Sequence, residues 1–202
     1  MITWNLYYTG YFDAATSFRH ALFQTVSIAS TTGFASSDFN LWPDFSRYVL
    51  LLLMFVGGCS GSTAGGMKVS RFVILLKVTW AELRRTIHPR LVYSIKMGGR
   101  NVPPVVVGNV TRFFYLYMIV FSTLTLLISL TGISMLDSMG IIAACMSSVG
   151  PAFGIVGPTA TYADVSTFGR LVVIAAMILG RLEIFTLLII MRPDFWRVKR
   201  NW

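Results

Sequence analysis

Apolar residues in this chain gather into long, nearly uninterrupted runs, the pattern of helices surrounded by apolar material. Residues 115–133 (YLYMIVFSTLTLLISLTGI) carry no charge and reach the roughly 20-residue length of a plain transmembrane helix. Residues 168–191 are as long but contain Arg181 and Glu183. A third run, 45–57, is too short and passes into Gly57-Gly58-Cys59-Ser60-Gly61-Ser62-Thr63-Ala64-Gly65-Gly66. Beyond it the chain resumes over 67–83 as an apolar, Lys-studded helix. Five glycines in ten positions disfavour regular helix, so the pattern predicts one span interrupted by a flexible loop. Backbone this irregular persists at membrane depth only inside protein or along a water-filled cavity.

Two amphipathic segments are too short to cross. Residues 17–30 (SFRHALFQTVSIAS) run into Thr31-Thr32-Gly33-Phe34, and residues 136–148 (LDSMGIIAACMSS) into Val149-Gly150-Pro151. Each is followed by a weakly polar linker and a long helix. Gly33 and Gly150 lie 117 residues apart, and the same offset pairs Ser30 with Ser147 and Thr31 with Ser148. Identity elsewhere is low, so the repeat is one of pattern, as is common in transport proteins.

Composition fits a lipid environment. Of 202 residues, 55% are hydrophobic and 12% charged, about half the charge of a soluble domain. Two cysteines in apolar or Gly-rich runs suggest neither a disulfide framework nor a transition-metal site. The net charge of +9 is unevenly placed. Nine Lys and Arg between Lys68 and Arg112 face only Glu82, and Arg192, Arg197, Lys199 and Arg200 face only Asp194. The positive-inside bias puts 68–112 and the tail after 191 in the cytoplasm, with 1–47 and 134–167 outward. Nucleic-acid binding by the basic stretch is set aside, because its flanking runs have membrane length.

A re-entrant half-helix that ends in a small-residue turn favours a cation, because its C-terminal end carries partial negative charge and free carbonyls. Extended residues after it can replace the water around an ion. The plainer reading is a pair of interfacial helices capped by glycine; the duplication favours a pore. The Gly-rich loop admits three readings. GSTAGGMK at 61–68 resembles a phosphate-binding loop, but Met67 separates glycine from lysine and no strand precedes it. The GxSG at 58–61 matches intramembrane serine proteases, which need a histidine partner for Ser60; His20 and His88 are poorly placed for that. The third reading is a gate that occludes a pore. Arg181 supports it, since an arginine within a span usually faces the bundle interior or a water path. Under the 117-residue offset Arg181 corresponds to Ala64 in the loop. The alternative is an arginine that pairs with Glu183 or snorkels to the inner interface, yet two residues on a helix do not face each other.

SIASTTGFASSDF at 27–39, GGCSGSTAGGMKVSR at 57–71, IHPR at 87–90, SSVGPAFG at 147–154 and GRLEIFTLL at 180–188 together resemble the TrkH-type potassium uptake subunits. That superfamily also contains the KtrB and HKT transporters. The resemblance implies an all-α polytopic membrane protein of membrane–pore–membrane repeats with re-entrant pore half-helices, four repeats enclosing one selectivity filter. Residues 1–100 would be a partial third repeat, with a pore helix at about 17–30, filter 31–34, a second span interrupted at 57–66 and a cytoplasmic basic segment. Residues 101–202 would be the fourth, with a first span at about 112–133, pore helix 136–148, filter 148–151, second span at about 165–191 and a cytoplasmic tail. The first two repeats and the first span of the third would be missing.

By the same resemblance the carbonyls of Thr31, Thr32, Gly33, Ser148, Val149 and Gly150 would coordinate K⁺. Gly57, Gly58, Gly61, Ser62, Thr63, Gly65 and Gly66 would form the gate, with Arg181 contacting it from the pore. The family's usual Asn-Val-Gly-Pro-Gly is altered here, with Ser148 for Asn and Ala152 for the second Gly. Expected partners are a TrkA-type cytoplasmic nucleotide-binding regulator, the remaining N-terminal repeats, a second copy in a homodimer of the full-length protein, and membrane lipid. The basic segments 84–100 and 192–202 suit the regulator or anionic lipid equally. The expected location is the bacterial inner membrane, multi-pass with the C-terminus cytoplasmic. No catalysis and no cofactor are expected, K⁺ being cargo.

Overall fold

The computed structural model describes residues 1–59, 61–62, 64–88, 94–182 and 189–190. Its first three helices are α1 (Ile2–Tyr8), α2 (Ala14–Ala29) and α3 (Asp44–Phe55). They are followed by α4 (Val69–Ile87), α5 (Pro104–Ser129), α6 (Met135–Met146) and α7 (Thr167–Arg181). Local chemistry sets the starts. The Ser134 hydroxyl accepts from the N–H of Asp137 at 3.2 Å at the head of α6, and Ser166 accepts from Gly169 at 3.1 Å at the head of α7. Pro103 and Pro104 open α5, where a missing N–H costs nothing.

Among the described residues α5 is the one helix long and apolar enough to cross a bilayer. It starts before the charge-free run and ends at Ser129, short of the 133 that hydropathy suggests. The chain leaves the helix through Gly132, whose φ of +85° no helix accommodates. The expected long helix over 168–191 is described as far as Arg181; residues 183–188 lie outside the described part.

The apolar stretch breaks between α3 and α4. After α3, the pair β1 (Val56–Gly57) lies parallel to β2 (Met67–Lys68), with Val56 opposite Met67 and Gly57 opposite Lys68. The Gly-rich segment is therefore an excursion that returns to its own starting level before α4 begins. A second small pair, β3 (Lys96–Met97) and β4 (Arg100–Asn101), turns through Gly98 and Gly99 at φ +56° and +78°. Lys77 on α4 ties it down by donating to the Lys96 carbonyl at 2.6 Å.

Helix α1 has no counterpart in the sequence reading, which took the first span before α2 as missing. It packs on α2 and α3 as α5 packs on α6 and α7. It also ends at a positive-φ glycine, Gly10 at +70°, as α5 does at Gly132. The core lies around α6, whose residues Ile141–Met146 are fully buried under α3, α5 and α7. The corresponding α2 keeps Phe18, Leu22, Phe23 and Val26 exposed.

Candidate functional site

The two half-helices end in the same backbone figure. Ser30 (φ −84°, ψ −2°) and Ser147 (φ −88°, ψ −4°) close α2 and α6. The next residues, Thr31 and Ser148, sit in the left-handed region at φ +55° and +58°. The N–H of Thr31 bonds the Ile28 carbonyl at 3.0 Å, and that of Thr32 bonds Ser27 at 2.9 Å. Ser148 to Cys145 at 3.1 Å and Val149 to Ala144 at 2.9 Å repeat both bonds 117 residues on. This is the Schellman ending, which ordinarily has glycine in the left-handed position. Thr and Ser there are strained by about 1–2 kcal/mol each, and strain of this kind gathers at functional sites. Gly33 and Gly150 then turn again at φ +79° and +102°.

These bonds satisfy the carbonyls inside each helix end and leave those beyond it. Among the described residues no donor meets the carbonyls of Thr31, Thr32, Gly33, Ser148 or Val149. The two turns touch: a Cβ on Gly33 would overlap the Val149 carbonyl oxygen and stand 3.1 Å from Cδ of Pro151. Above them the linkers interlock. The Asn40 amide donates to the Gly154 carbonyl at 3.1 Å and accepts from the Gly154 N–H at 3.0 Å. Thr159 donates to Asp38 at 3.1 Å, and Phe39 meets Phe153 edge-on at 5.4 Å. The sequence reading singled out neither Asn40 nor Gly154.

The Gly-rich loop lies against the C-terminal end of α6. A Cβ on Gly65 would overlap the Ser147 carbonyl and Ser148 Oγ, and one on Gly57 the Gly65 carbonyl. Gly66, at φ +73°, abuts the Ser147 side chain. The Ser147 hydroxyl donates to the carbonyl of Met54, one of the acceptors that α3 loses where it breaks. Gly58 packs on Ala64 and Ser62, while a Cβ on Gly61 would meet nothing within 4 Å among the described residues. Thr63 and Ser60 lie outside the described residues.

Arg181 ends the described part of α7 and lines two cavities. One, of about 210 Å³, is walled by Ser62, Ala64, Gly66, Lys68, Arg71 and Tyr117 among others. The second, of about 440 Å³ and mostly apolar, includes Ser148 and Gly150. The structure thus brings the loop, the arginine and the turn Ser148–Gly150 together. Gly180 permits it, since a Cβ there would overlap the Met146 carbonyl at the end of α6. A glycine beside the arginine of an apolar helix was the available signal for that contact. No described histidine lines the loop cavity; His20 bonds Ser36 at 2.9 Å and His88 follows the end of α4.

Comparison with known proteins places this arrangement. A family model described as TrkH, cation transport protein, matches residues 5–197. A Trk system potassium uptake protein TrkH from Vibrio parahaemolyticus is 45% identical over 190 residues, 94% of this chain and 38% of that protein. TrkH of Escherichia coli K12 is 38% identical over 98% of this chain and 40% of its own. A crystal structure of the potassium transporter TrkH from Vibrio parahaemolyticus superposes with a TM-score of 0.88 at 42% identity, covering 97% of this chain and 42% of that one. The chain therefore spans about two fifths of the length of these relatives.

Proposed function

Since the chain belongs to the TrkH family of cation transport proteins and has the all-α fold of that membrane transporter, we propose that it forms half of a K⁺ filter in a Trk-type uptake system. Residues 1–100 act as part of a third membrane–pore–membrane repeat and 101–202 as a fourth, in the inner membrane with the C-terminus cytoplasmic. The observation that carries this reading is the duplicated helix ending at Thr31–Gly33 and Ser148–Gly150, in which the carbonyls of Thr31, Thr32, Gly33, Ser148 and Val149 meet no donor among the described residues. The C-terminal ends of α2 and α6 supply partial negative charge where a dehydrated cation pauses, and the unbonded carbonyls stand in for its water shell. Two turns surround half an ion, so the exposed apolar face of α2 and Phe34 receives the other repeats.

Below the filter, the Gly-rich loop acts as the gate and Arg181 as its latch. The guanidinium holds the loop under the fourth turn and opposes cations until the loop moves. A TrkA-type nucleotide-binding regulator docks on the basic cytoplasmic segments, and the complete protein pairs with a second copy. The chain carries out no catalysis.

The test joins this chain to the N-terminal part of the Vibrio parahaemolyticus relative and expresses the fusion in a K⁺-uptake-deficient bacterium. Growth at low K⁺ is expected from the fusion and from its Ser60→Ala form, and not from its Gly33→Asp form, which puts a carboxylate into the filter. Loss of uptake with Ser60→Ala, together with cleavage of a membrane substrate by the parent, would favour an intramembrane protease. Rescue by the 202-residue chain alone would overturn the half-filter.

A further inference from the structure

The sixth candidate filter carbonyl differs from the other five. The Tyr162 hydroxyl donates to the Gly150 carbonyl at 2.7 Å. That oxygen is therefore engaged from behind the turn. A Cβ built on Gly150 would meet no heavy atom within 4 Å among the described residues, whereas one on Gly33 would overlap the Val149 carbonyl and crowd Pro151. In the third turn the supporting bond falls one residue later, from Ser27 to the Phe34 carbonyl at 2.6 Å.

Tyr162 is itself held. Its oxygen lies 3.3 Å from Cys145 Sγ, inside α6. It sits in a short 3₁₀ turn, Tyr162–Asp164, that Arg170 of α7 clamps. The Arg170 guanidinium donates to the carbonyls of Val165 at 2.8 Å and Ala163 at 3.1 Å. The turn thus connects α7 to the Gly150 peptide, held by Arg170 at one end and bonded through the Tyr162 hydroxyl at the other.

We propose that Tyr162 is a positioning residue for the ion filter: its hydroxyl fixes the orientation of the Gly150 peptide, and with it the spacing that separates K⁺ from the smaller Na⁺. The Gly150 carbonyl is then part of the filter's frame, and Ser148 and Val149 supply the coordinating oxygens of the fourth quarter. Selectivity depends on the size and stiffness of the carbonyl cage, and the Gly150 carbonyl is freer to reorient when the hydroxyl that holds it is removed. The inference rests on the filter reading above.

The test uses the same fusion, with K⁺ and Na⁺ uptake measured in parallel. Tyr162→Phe keeps the ring and removes the hydroxyl. It is expected to accumulate at the parent level and to lower the K⁺-to-Na⁺ uptake ratio about two- to tenfold, the range of one lost hydrogen bond. A merely structural role would reduce both ions in proportion and leave the ratio unchanged. If Tyr162→Phe fails to accumulate, Arg170→Gln, which frees the turn carrying Tyr162, carries the same expectation. An unchanged ratio in an accumulating variant overturns the inference alone. A parent fusion without K⁺ uptake overturns the filter reading, and this inference with it.

Discussion

Gly33 and Val149 belong to different halves of the chain, yet the α-carbon of one presses on the carbonyl of the other so closely that no side chain fits between them. The contact holds the two turns proposed as filter segments against each other, and it exists because Gly33 has no Cβ and tolerates φ +79°.

Gly33→Ala should therefore push the turns apart. Overpacking costs about 1–3 kcal/mol, and alanine at positive φ adds about 1–2 kcal/mol. K⁺ uptake by the fusion is expected to fall about tenfold or more, with the protein still reaching the membrane. Uptake at the parent rate would mean that the two turns do not share one filter.

Arg181→Ala addresses the gate. Removal of the guanidinium that lines both the loop cavity and the filter-side cavity should raise K⁺ flux. Arg181→Lys should be intermediate, since an ammonium lacks the planar fork that bonds several carbonyls at once. Vesicle flux at matched protein levels reads both; an unchanged or lower flux for Arg181→Ala counts against the latch.

Gly180→Val tests how α7 meets α6. The new Cβ overlaps the Met146 carbonyl, so thermal unfolding in detergent should show a loss of about 2 kcal/mol. Gly108→Ala is the control. It lies within α5 with open space around it, and alanine there should add up to about 1 kcal/mol.

Asn40→Ala removes a donor and an acceptor together and strands both polar groups of Gly154. A loss of about 1–3 kcal/mol is expected. Asn40→Asp keeps the acceptor for the Gly154 N–H and should fall between. Equal stability of all three forms would mean that water replaces the latch without cost.

Much of the fold was legible locally. The uncharged run inside α5 named a span, and the glycines of 57–66 named the break, because both signals are matters of composition over a few turns. The offset between Gly33 and Gly150 reappears in the dihedrals of Thr31, Ser148 and both glycines. Other features left no local trace. Helix α1 is seven residues long with polar Thr3 and Asn5, too short for a period, and is stabilised by packing Ile2 and Leu6 into the core. The ends of α5 departed from the hydropathy run because a proline start and a positive-φ glycine define them, and hydropathy records neither.

Serine, tyrosine and asparagine side chains show the same division. Ser147 was visible as the partner of Ser30, but its bond to Met54 joins residues 93 apart. Tyr162 reads in sequence as one aromatic in a weakly polar linker; only the return of that linker over α6 sets its hydroxyl on Gly150. The sequence by itself determined the longer helices, the break after α3 and the twofold pattern of turns, since these follow from side-chain polarity and backbone freedom within a short stretch. The tertiary structure decided which glycines touch carbonyls, which hydroxyl reaches Gly150 and which loop lies against the end of α6. Those contacts join residues far apart along the chain, and close packing around α6 brings them together.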